Sequence, residues 1–354
     1  MMRTVFALVP ILLIAAAACS GRGSAAGGGS QSAPASTGDA TSSQSPAQHA
    51  TLKVAYVPVL AFAPLYRAIA KGYFSAVGID VDLTVVQSAS DVVAFLGTGQ
   101  MDVGLGNVGA PFYNAVNRGL EVRVVAGNSE NQRDPATLVA APLLIRRQLA
   151  DDGSVRSPSD LRGRKVAINA PAGIQEYSLS KLLAASQLAL SDVDVQYVPF
   201  PDMLAGLNNG AIDAAMLPEP FSAKAREQGV ASVLVANPAP GATVTAVLFG
   251  TNLLKSDAVQ TGRAFLSAMR KAANELQSEG EIFSDENLAI WAQYTGVAPD
   301  DIRKGAPYAY ARDLALDPQS LTDQQRFLLG EGRLDFTEPL PVNRIVDDRF
   351  SSAG

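Results

Sequence analysis

Two stretches of this chain repeat the same order of strand starts and turns. Residues 53–55 and 165–167 both have the sequence Lys-Val-Ala, and each begins a predicted strand that runs into a proline-containing loop. Each is followed by a Gly-x-apolar-Asp turn, which ends at Asp102 in one stretch and at Asp213 in the other, and then by a Pro-Phe pair. One such match could arise by chance, but two in near-matching register favour a duplication. We therefore predict two similarly built α/β lobes that enclose a cleft, a common site for small molecules.

The amino terminus has the features of a bacterial export signal. Arg3 precedes an apolar run over residues 5–18, which is too short to span a bilayer and indicates a signal peptide. The run ends in alanines followed by Cys19, the only cysteine of the chain, so no disulfide can form within one molecule. Small residues before a single cysteine resemble a lipobox, although Ala16 stands where Leu is usual. The alternative is an ordinary cleavage site that happens to precede a cysteine.

The next segment supports the lipoprotein interpretation. Residues 20–50 contain no Leu, Ile, Val, Met or aromatic residue, so this Ser/Gly/Ala-rich segment cannot bury apolar surface and is predicted to be a disordered tether. Such a tether after a lipidated Cys19 would attach a folded domain to the cell membrane without spanning it. We expect an extracytoplasmic, lipid-anchored protein of the bacterial cell envelope, with a lipoprotein signal peptide in residues 1–19.

The remaining residues alternate predicted strands with short helices, which indicates parallel βαβ units. Extended apolar runs at residues 137–146 and 243–250 lie on either side of the second set of units and are interpreted as two crossings between the lobes. Lobe 1 is then discontinuous, with residues 51–143 and 247–354, and lobe 2 comprises residues 144–246. Two crossings form a hinge about which such lobes can close. The net charge of −6, without a basic block, argues against a nucleic-acid partner.

Short motifs in the predicted folded part follow the order and spacing of a known family. They comprise residues 54–58, 63–65, 70–74, 78–81, 99–103, 160–167, 213–216, 219–221 and 341–350. Together they resemble the periplasmic substrate-binding proteins of ABC importers for nitrate, sulfonate, taurine and thiamine-pyrimidine precursors. The resemblance implies a type II periplasmic-binding-protein fold, in which two α/β lobes joined by a two-strand hinge hold a ligand cleft between them. It also implies that the protein captures a solute and delivers it to a membrane permease and its ATPase.

Ligands of α/β sheets bind in loops at the carboxyl ends of the strands, which selects a set of candidate residues. These are Tyr56, Phe62, Asn107, Gly109, Ala110, Gly173, Ile174, Gln175, Tyr177, Phe200, Glu219 and Phe221. Several of the loops begin helices, whose free amides can hold a polar or anionic group. Glu219 lies between two prolines, where its carboxylate could accept from an N–H donor of the ligand. Its alternative roles are a solvated loop acid or a partner in a pair across the hinge, and the aromatic residues could instead belong to the core.

The ligand class is inferred from the charges near these loops. The loops contain no Arg or Lys, whereas Glu176, Asp202 and Glu219 would repel an anion. We therefore favour a neutral or cationic nitrogen heterocycle, such as a pyrimidine precursor or a flavin-like ring. An anion of the nitrate, sulfonate or taurine type remains the alternative, because helix N-termini alone can hold one.

We do not expect an enzyme. The same superfamily includes pyrimidine-synthase enzymes that use an active-site histidine and a cysteine-rich run, but the only histidine, His49, and the only cysteine, Cys19, precede the predicted folded part. That part therefore lacks Cys–His and Ser–His arrangements and Cys/His metal clusters, and we expect neither a cofactor nor a metal. A sensor that presents its ligand to a receptor kinase is a further alternative, which the fold alone does not separate from import. The protein is expected to be a monomer.

Replacing Cys19 by Ser should release the protein from the membrane, because the thiol is the group that carries the lipid. Fractionation of cells that express each form should place the wild type with the membranes and Cys19→Ser in a soluble extracytoplasmic fraction. Equally firm membrane association of both forms would show that Cys19 is not the anchor.

Overall fold

Two β-sheets organise residues 50–350, which is the part of the chain that the computed structural model describes. The strands of the first sheet are β1 (Ala50–Tyr56), β2 (Ile79–Val85), β3 (Val103–Gly106), β4 (Arg123–Glu130), β10 (Thr243–Phe249) and β11 (Ala309–Tyr310). The strands of the second sheet are β5 (Leu143–Arg146), β6 (Lys165–Ile168), β7 (Asp194–Tyr197), β8 (Ala214–Met216) and β9 (Ala231–Val235). The predicted signal peptide, the lipid site at Cys19 and all but the last residue of the predicted tether lie outside the described residues.

The two sheets have the same order of strands, as the repeat in the sequence predicts. The first runs β11-β4-β10-β3-β1-β2, and the second, read in the matching direction, runs β9-β5-β8-β6-β7. In each sheet three parallel strands are followed by one that runs the opposite way, which is β10 in the first and β5 in the second. The strand that precedes each antiparallel strand in the chain belongs to the other sheet, since β4 precedes β5 and β9 precedes β10. The predicted α/β fold with two lobes is thus confirmed.

The chain crosses between the sheets at positions that differ slightly from those predicted. It leaves the first sheet after Glu130 and pairs in the second from Leu143, then leaves the second after Val235 and returns at Thr243. We call residues 50–130 and 243–350 the first lobe and residues 143–235 the second lobe. β10 therefore belongs entirely to the first sheet, and the connecting segments are residues 131–142 and 236–242. Movement of the lobes about these segments stays a prediction.

The repeated Asp residue has the same contacts in both lobes. The Asp102 carboxylate accepts a hydrogen bond from the backbone N–H of Lys53 at 2.9 Å, and the Asp213 carboxylate accepts one from that of Lys165 at 3.1 Å. In return, the N–H of each Asp donates to the carbonyl of the same lysine at 2.9 Å. These bonds fix the starts of neighbouring parallel strands in one register. The repeat thus reflects a structural constraint at the strand starts, opposite the ligand end of the sheet.

The strands are covered by α-helices. Between residues 50 and 350 these are α1 (Ala63–Ala70), α2 (Ala89–Gly97), α3 (Ala110–Asn117), α4 (Arg147–Asp151), α5 (Ile174–Ala185), α6 (Phe200–Asn209), α7 (Phe221–Glu227), α8 (Thr251–Leu254), α9 (Val259–Glu275), α10 (Asp285–Thr295), α11 (Pro299–Arg303), α12 (Pro318–Gly330) and α13 (Val342–Ile345). None of them combines the length and the apolar character that crossing a bilayer requires.

Alternation of side chains along the strands determines where the cores lie. In β5 of the second lobe, Leu143 and Ile145 pack with α5 on one face of the sheet, whereas Leu144 packs with α6 and α7 on the other. The first lobe has one larger core, in which its strands pack with α1, α2, α3, α9 and the fully buried Trp291 of α10. Burial on both faces is expected for parallel strands that helices cover on either side.

Gly104 of β3 lies directly against α2. A Cβ atom there would be 2.1 Å from Cγ1 of Val92 and 2.9 Å from Cδ1 of Leu96, both on α2. Gly104→Ala should therefore lower the free energy of unfolding by about 1–3 kcal/mol, because the helix must move away from the strand. Urea denaturation of the two proteins measures the difference.

Gly330→Ala is the control for this substitution. No atom lies within 4 Å of a Cβ at Gly330, the last residue of α12, and alanine favours helix more than glycine does. This variant should be as stable as the wild type or more stable by up to about 1 kcal/mol. An equal loss of stability in both variants would contradict the packing of α2 on β3.

Candidate functional site

A cavity of about 90 Å³ lies between the two sheets, at the edge where the parallel strands of both sheets end. Its walls come from the loops after β1, β3, β6 and β8, together with the first residues of β10. The carboxyl ends of parallel strands are the usual ligand side of α/β sheets. This cavity is therefore the candidate ligand site.

The loops after β3 and β6 touch each other across the cavity. The backbone N–H of Ala110 donates to the carbonyl of Ala172 at 2.8 Å. A Cβ on Gly109 would be 2.6 Å from that carbonyl oxygen, and a Cβ on Gly173 would be 3.0 Å from Oδ1 of Asn107. The close approach of the two loops thus depends on glycine at position 109, whereas at position 173 the Asn107 side chain could move aside. Ala172 itself has a φ of 57°, in the left-handed region that residues with a side chain rarely adopt.

The wall of the cavity is polar in part but carries no formal charge. Its polar side chains are Asn107, Asn131, Asn169, Gln175, Ser178, Thr245 and Tyr308. Among residues 50–350, no Asp, Glu, Lys, Arg or His belongs to the wall, and Phe62, Phe112 and Phe200 supply aromatic surface. Such a wall can exchange hydrogen bonds with a neutral polar ligand, but its side chains offer no charge to balance that of an ion.

The polar side chains of the wall differ in whether they already have hydrogen-bond partners within the protein. The Gln175 amide is committed at both ends, because Oε1 accepts from the N–H of Asn169 at 2.6 Å and Nε2 donates to the carbonyl of Met216 at 2.8 Å. Within the described part of the chain, neither the Asn107 carboxamide nor the Tyr308 hydroxyl has a hydrogen-bond partner. Burial raises the pKa of Tyr308, so its phenol stays protonated and can donate. Asn107, Tyr308 and Ser178, whose hydroxyl also lacks a partner within residues 50–350, are therefore the groups most available to a ligand.

Two buried polar side chains of β4 orient the hydroxyl of Thr245, in β10, at the cavity wall. Oγ1 of Thr245 accepts from Nδ2 of Asn128 at 2.8 Å and lies 2.6 Å from Oγ of Ser129, where either hydroxyl can donate. Nδ2 of Asn128 also donates to the carbonyl of Ala61 at 2.7 Å. Because Asn128 and Ser129 are almost completely buried, they restrict the orientation of the Thr245 side chain.

Most of the predicted site residues lie on this wall. They are Phe62, Asn107, Gly109, Gly173, Ile174, Gln175 and Phe200, and ligand contact by them stays a prediction. The remaining candidates, which the wall does not include, are Tyr56, Ala110, Tyr177, Glu219 and Phe221. Phe221 packs next to Phe200, with 6.5 Å between the ring centroids. Ala110 contributes its backbone N–H to the contact between the loops.

The two tyrosines among these candidates have packing roles. Tyr56 packs edge-on against Tyr66, with ring centroids 5.6 Å apart, in the core of the first lobe. Tyr177 packs in the same way against Phe327 of α12 at 5.5 Å. These contacts fit the alternative that the aromatic residues belong to the core, and the cavity wall includes neither tyrosine.

Glu219 is fully buried and binds protein groups instead of facing the cavity. Its carboxylate accepts from the backbone N–H of Ala223 at 2.8 Å, from that of Ala306 at 3.1 Å and from the Arg226 guanidinium at 3.2 Å. Its backbone carbonyl accepts from the N–H of Leu60 at 3.1 Å. Ala306 and Leu60 belong to the first lobe and Glu219 to the second. The carboxylate thus connects the two lobes, which is one of its alternative roles, and ligand contact by Glu219 stays a prediction.

Several wall residues were not predicted, among them Asn131, Thr245 and Tyr308. Asn131 follows β4, which runs in the same direction as β3, so the rule about carboxyl ends could have found it. Thr245 lies near the start of β10, which runs the opposite way and so reaches the cavity with its amino end. Tyr308 precedes β11 in a segment where the sequence offers no strand or turn pattern.

Two solved structures with this architecture are named for the ligands that they bind. The alkanesulfonate-binding protein SsuA from Xanthomonas axonopodis pv. citri, bound to MOPS, superposes with a TM-score of 0.67 at 18% identity, covering 85% of this chain and 99% of that one. The periplasmic nitrate-binding protein NrtA from Synechocystis PCC 6803 superposes with a TM-score of 0.65 at 16% identity, covering 81% and 83%. The chain therefore has the periplasmic-binding-protein fold that its motifs predict.

Sequence comparison identifies the family. The family model described as NMT1/THI5 like matches residues 60–280, and the chain belongs to this family. The riboflavin-binding protein RibY from Chloroflexus aurantiacus is 29% identical over 258 residues, which cover 69% of this chain and 67% of RibY. The family resemblance read from the motifs is thereby confirmed.

Glu219→Gln should lower the free energy of unfolding by about 1–3 kcal/mol, because the amide nitrogen of Gln is a donor and must face one of the N–H groups around it. Urea denaturation at neutral pH measures the loss. Glu227→Gln is the control, since the pair of Glu227 with Lys304 at 2.9 Å is exposed and contributes little. A loss no larger than that of the control would contradict the buried connection.

The same pair of proteins tests the ionisation of Glu219. Burial raises the pKa of its carboxyl above the ordinary value, although the two N–H groups and Arg226 act in the opposite direction. The folded protein therefore holds this proton over a pH range in which the unfolded chain has released it. The resulting stability is present below the unfolded-state pKa and is lost as the pH rises through the folded-state pKa. The difference in free energy of unfolding between the wild type and Glu219→Gln should therefore shrink as the pH rises from the unfolded-state pKa to the folded-state pKa of Glu219.

Proposed function

We propose that the protein is the extracytoplasmic solute-binding component of an ABC importer and that its ligand is a neutral nitrogen heterocycle, such as a pyrimidine precursor or a flavin-like ring. The observation that carries this proposal is the cavity wall, which presents carboxamides and hydroxyls without a charged side chain. A carboxamide both donates and accepts, so it matches the adjacent donors and acceptors of a heterocyclic ring. Phe62 and Phe200 offer apolar surface to the faces of such a ring.

The size of the cavity bears on how a ligand enters. An apolar cavity of about 150 Å³ accommodates benzene. The cavity between the lobes has about 90 Å³. A ring system therefore requires the loops after β3 and β6 to separate, which breaks the hydrogen bond between Ala110 and Ala172. Ligand entry is in this way coupled to movement of the lobes about the connecting segments.

Two further considerations support the ligand class and the role in import. The relative RibY is named as a riboflavin-binding protein, and riboflavin is a heterocycle. The motifs resemble those of binding proteins for thiamine-pyrimidine precursors and for anions, all of which deliver solutes to a permease and its ATPase. A lipid on Cys19 would hold a monomeric protein near that permease, at the outer face of the membrane.

We propose binding without catalysis. The cavity wall offers no carboxylate, imidazole or thiol that could act as a general acid, a base or a nucleophile. Among residues 50–350, no cluster of His, Cys, Asp or Glu is arranged to hold a metal ion. Capture and release of an unchanged solute need neither.

An anion of the nitrate, sulfonate or taurine type is the second candidate. Helix α5 begins at the cavity, and the backbone N–H groups of Ile174 and Gln175 in its first turn have no hydrogen-bond partner within residues 50–350. A free helix N-terminus attracts an anion. Within the described part of the chain, the cavity wall adds no cationic side chain to these two N–H groups, so we favour the neutral ligand.

Mass spectrometry of the small molecules released from freshly purified, denatured protein tests the ligand class. We expect a flavin or a pyrimidine, and calorimetric titration with riboflavin, an aminopyrimidine, nitrate and taurine should then rank a heterocycle first. Binding of nitrate or taurine but of neither heterocycle would favour the second candidate. No released molecule and no binding in any titration would contradict a solute-binding role for the cavity.

Two variants test whether the ligand occupies this cavity. Asn107→Ala should weaken binding about 2- to 10-fold, which corresponds to the loss of a neutral hydrogen bond. Asn117→Ala is its control, because Asn117 pairs with Asp335 at 3.2 Å and lies off the wall. Gly109→Ala should weaken binding further and also lower the thermal stability, since its Cβ obstructs the approach of the Ala172 loop. Unchanged affinity in both variants would place the ligand elsewhere.

A further inference from the structure

A buried carboxylate behind the cavity wall connects several elements around it. Glu176 lies in the first turn of α5, and its side chain is only 1% exposed. Oε2 accepts from the backbone N–H of Ala172 at 3.2 Å and from the Tyr197 hydroxyl at 3.1 Å. Oε1 accepts from Nε of Arg333 at 3.0 Å. The cavity wall does not include Glu176, so direct contact with a ligand does not account for this arrangement.

The bond to Ala172 restrains the loop that closes the cavity. The Ala172 N–H donates to Glu176, and the Ala172 carbonyl accepts from the N–H of Ala110 across the cavity. The φ of 57° at Ala172 costs free energy for a residue with a side chain, so the surrounding structure must hold it. The Glu176 carboxylate supplies that restraint from within the second lobe.

Arg333 reaches Glu176 from the first lobe. Its backbone N–H donates to the carbonyl of Leu328 in α12 at 2.9 Å, and its carbonyl accepts from Nδ2 of Asn114 in α3 at 3.3 Å. Helix α3 begins with Ala110 at the cavity. The backbone of Arg333 is therefore held by the same helix that supplies the N–H donor of the loop contact, and the ion pair of its partly exposed guanidinium bridges the two lobes.

We propose that Glu176 and Arg333 form a positioning pair, which sets the Ala172 loop and favours the closed arrangement of the two lobes. This rests on the proposed solute-binding function and adds to it the residues that control release. When the lobes separate, the pair must break, and a charge-assisted bond between a buried carboxylate and a guanidinium favours the closed arrangement. Loss of Arg333 leaves Glu176 with neutral donors only, which makes the closed arrangement less favourable.

Amide hydrogen exchange in the full-length protein, without added ligand, tests the pair directly. In Arg333→Gln, the amides of Ala110 and Ala172 should exchange about tenfold faster or more, because the Ala110 bond crosses between the lobes and the Ala172 bond depends on the carboxylate that Arg333 orients. The amide of Val54 in β1 should be unchanged. Arg333→Lys retains the charge and should restore most of the protection, which a merely structural role of the arginine would not explain.

Arg118→Gln is the matched control. Arg118 pairs with Asp335 at 2.6 Å within the first lobe, and Asp335 is close in sequence to Arg333. This pair does not reach the second lobe. This variant should leave the exchange of Ala110 and Ala172 as in the wild type. Equal exchange in Arg333→Gln and Arg118→Gln would overturn the proposal.

Ligand dissociation provides the second readout. If riboflavin binds the wild type, stopped-flow fluorescence should show it leaving Arg333→Gln about tenfold faster. An unchanged dissociation rate together with normal riboflavin binding would overturn the role of the pair but leave the proposed function intact. If riboflavin does not bind, faster exchange at Ala110 and Ala172 still supports the pair, so the two hypotheses fail separately.

Discussion

The hydrogen bond between the Ala110 N–H and the Ala172 carbonyl is the contact on which the cavity depends. It joins the loops after β3 and β6, and it forms because Gly109 allows the two backbones to approach without a Cβ between them. Two buried acids support it from either side, Glu219 through the N–H groups of Leu60 and Ala306 and Glu176 through Arg333. Neither lobe has a complete wall alone, so the site is a property of their arrangement.

The contacts of Glu176 and Glu219 in the fold change the argument about the charge of the ligand. From the sequence, Glu176 and Glu219 argue against an anionic ligand, because they lie beside the candidate loops. In the fold each is neutralised by the protein, Glu176 by Arg333 and Glu219 by Arg226 together with backbone donors. The case for a neutral ligand therefore rests on the wall itself, whose amides and hydroxyls face the cavity without a charged neighbour.

The sequence predicted the fold well because its main constraints are local or repeated. The paired Lys-Val-Ala and Gly-x-apolar-Asp motifs mark strand starts that backbone bonds to Asp102 and Asp213 hold together. The site was found only in part. Loops follow from strand direction, but the direction of a side chain such as Glu219 depends on donors distant in the chain, like the N–H of Ala306.

The exchange of antiparallel strands has a consequence for the order in which the chain can fold. β10 lies between β3 and β4 in the first sheet, yet all of the second sheet separates it from them along the chain. As the chain emerges with its amino terminus first, β3 and β4 appear before the strand that joins them. The second sheet has all its strands within residues 143–235, so it can complete earlier and bring Thr243 back to the first. The first sheet, whose strands are synthesised first, is therefore completed last. Until β10 pairs with β3 and β4, their unpaired edges are open to aggregation.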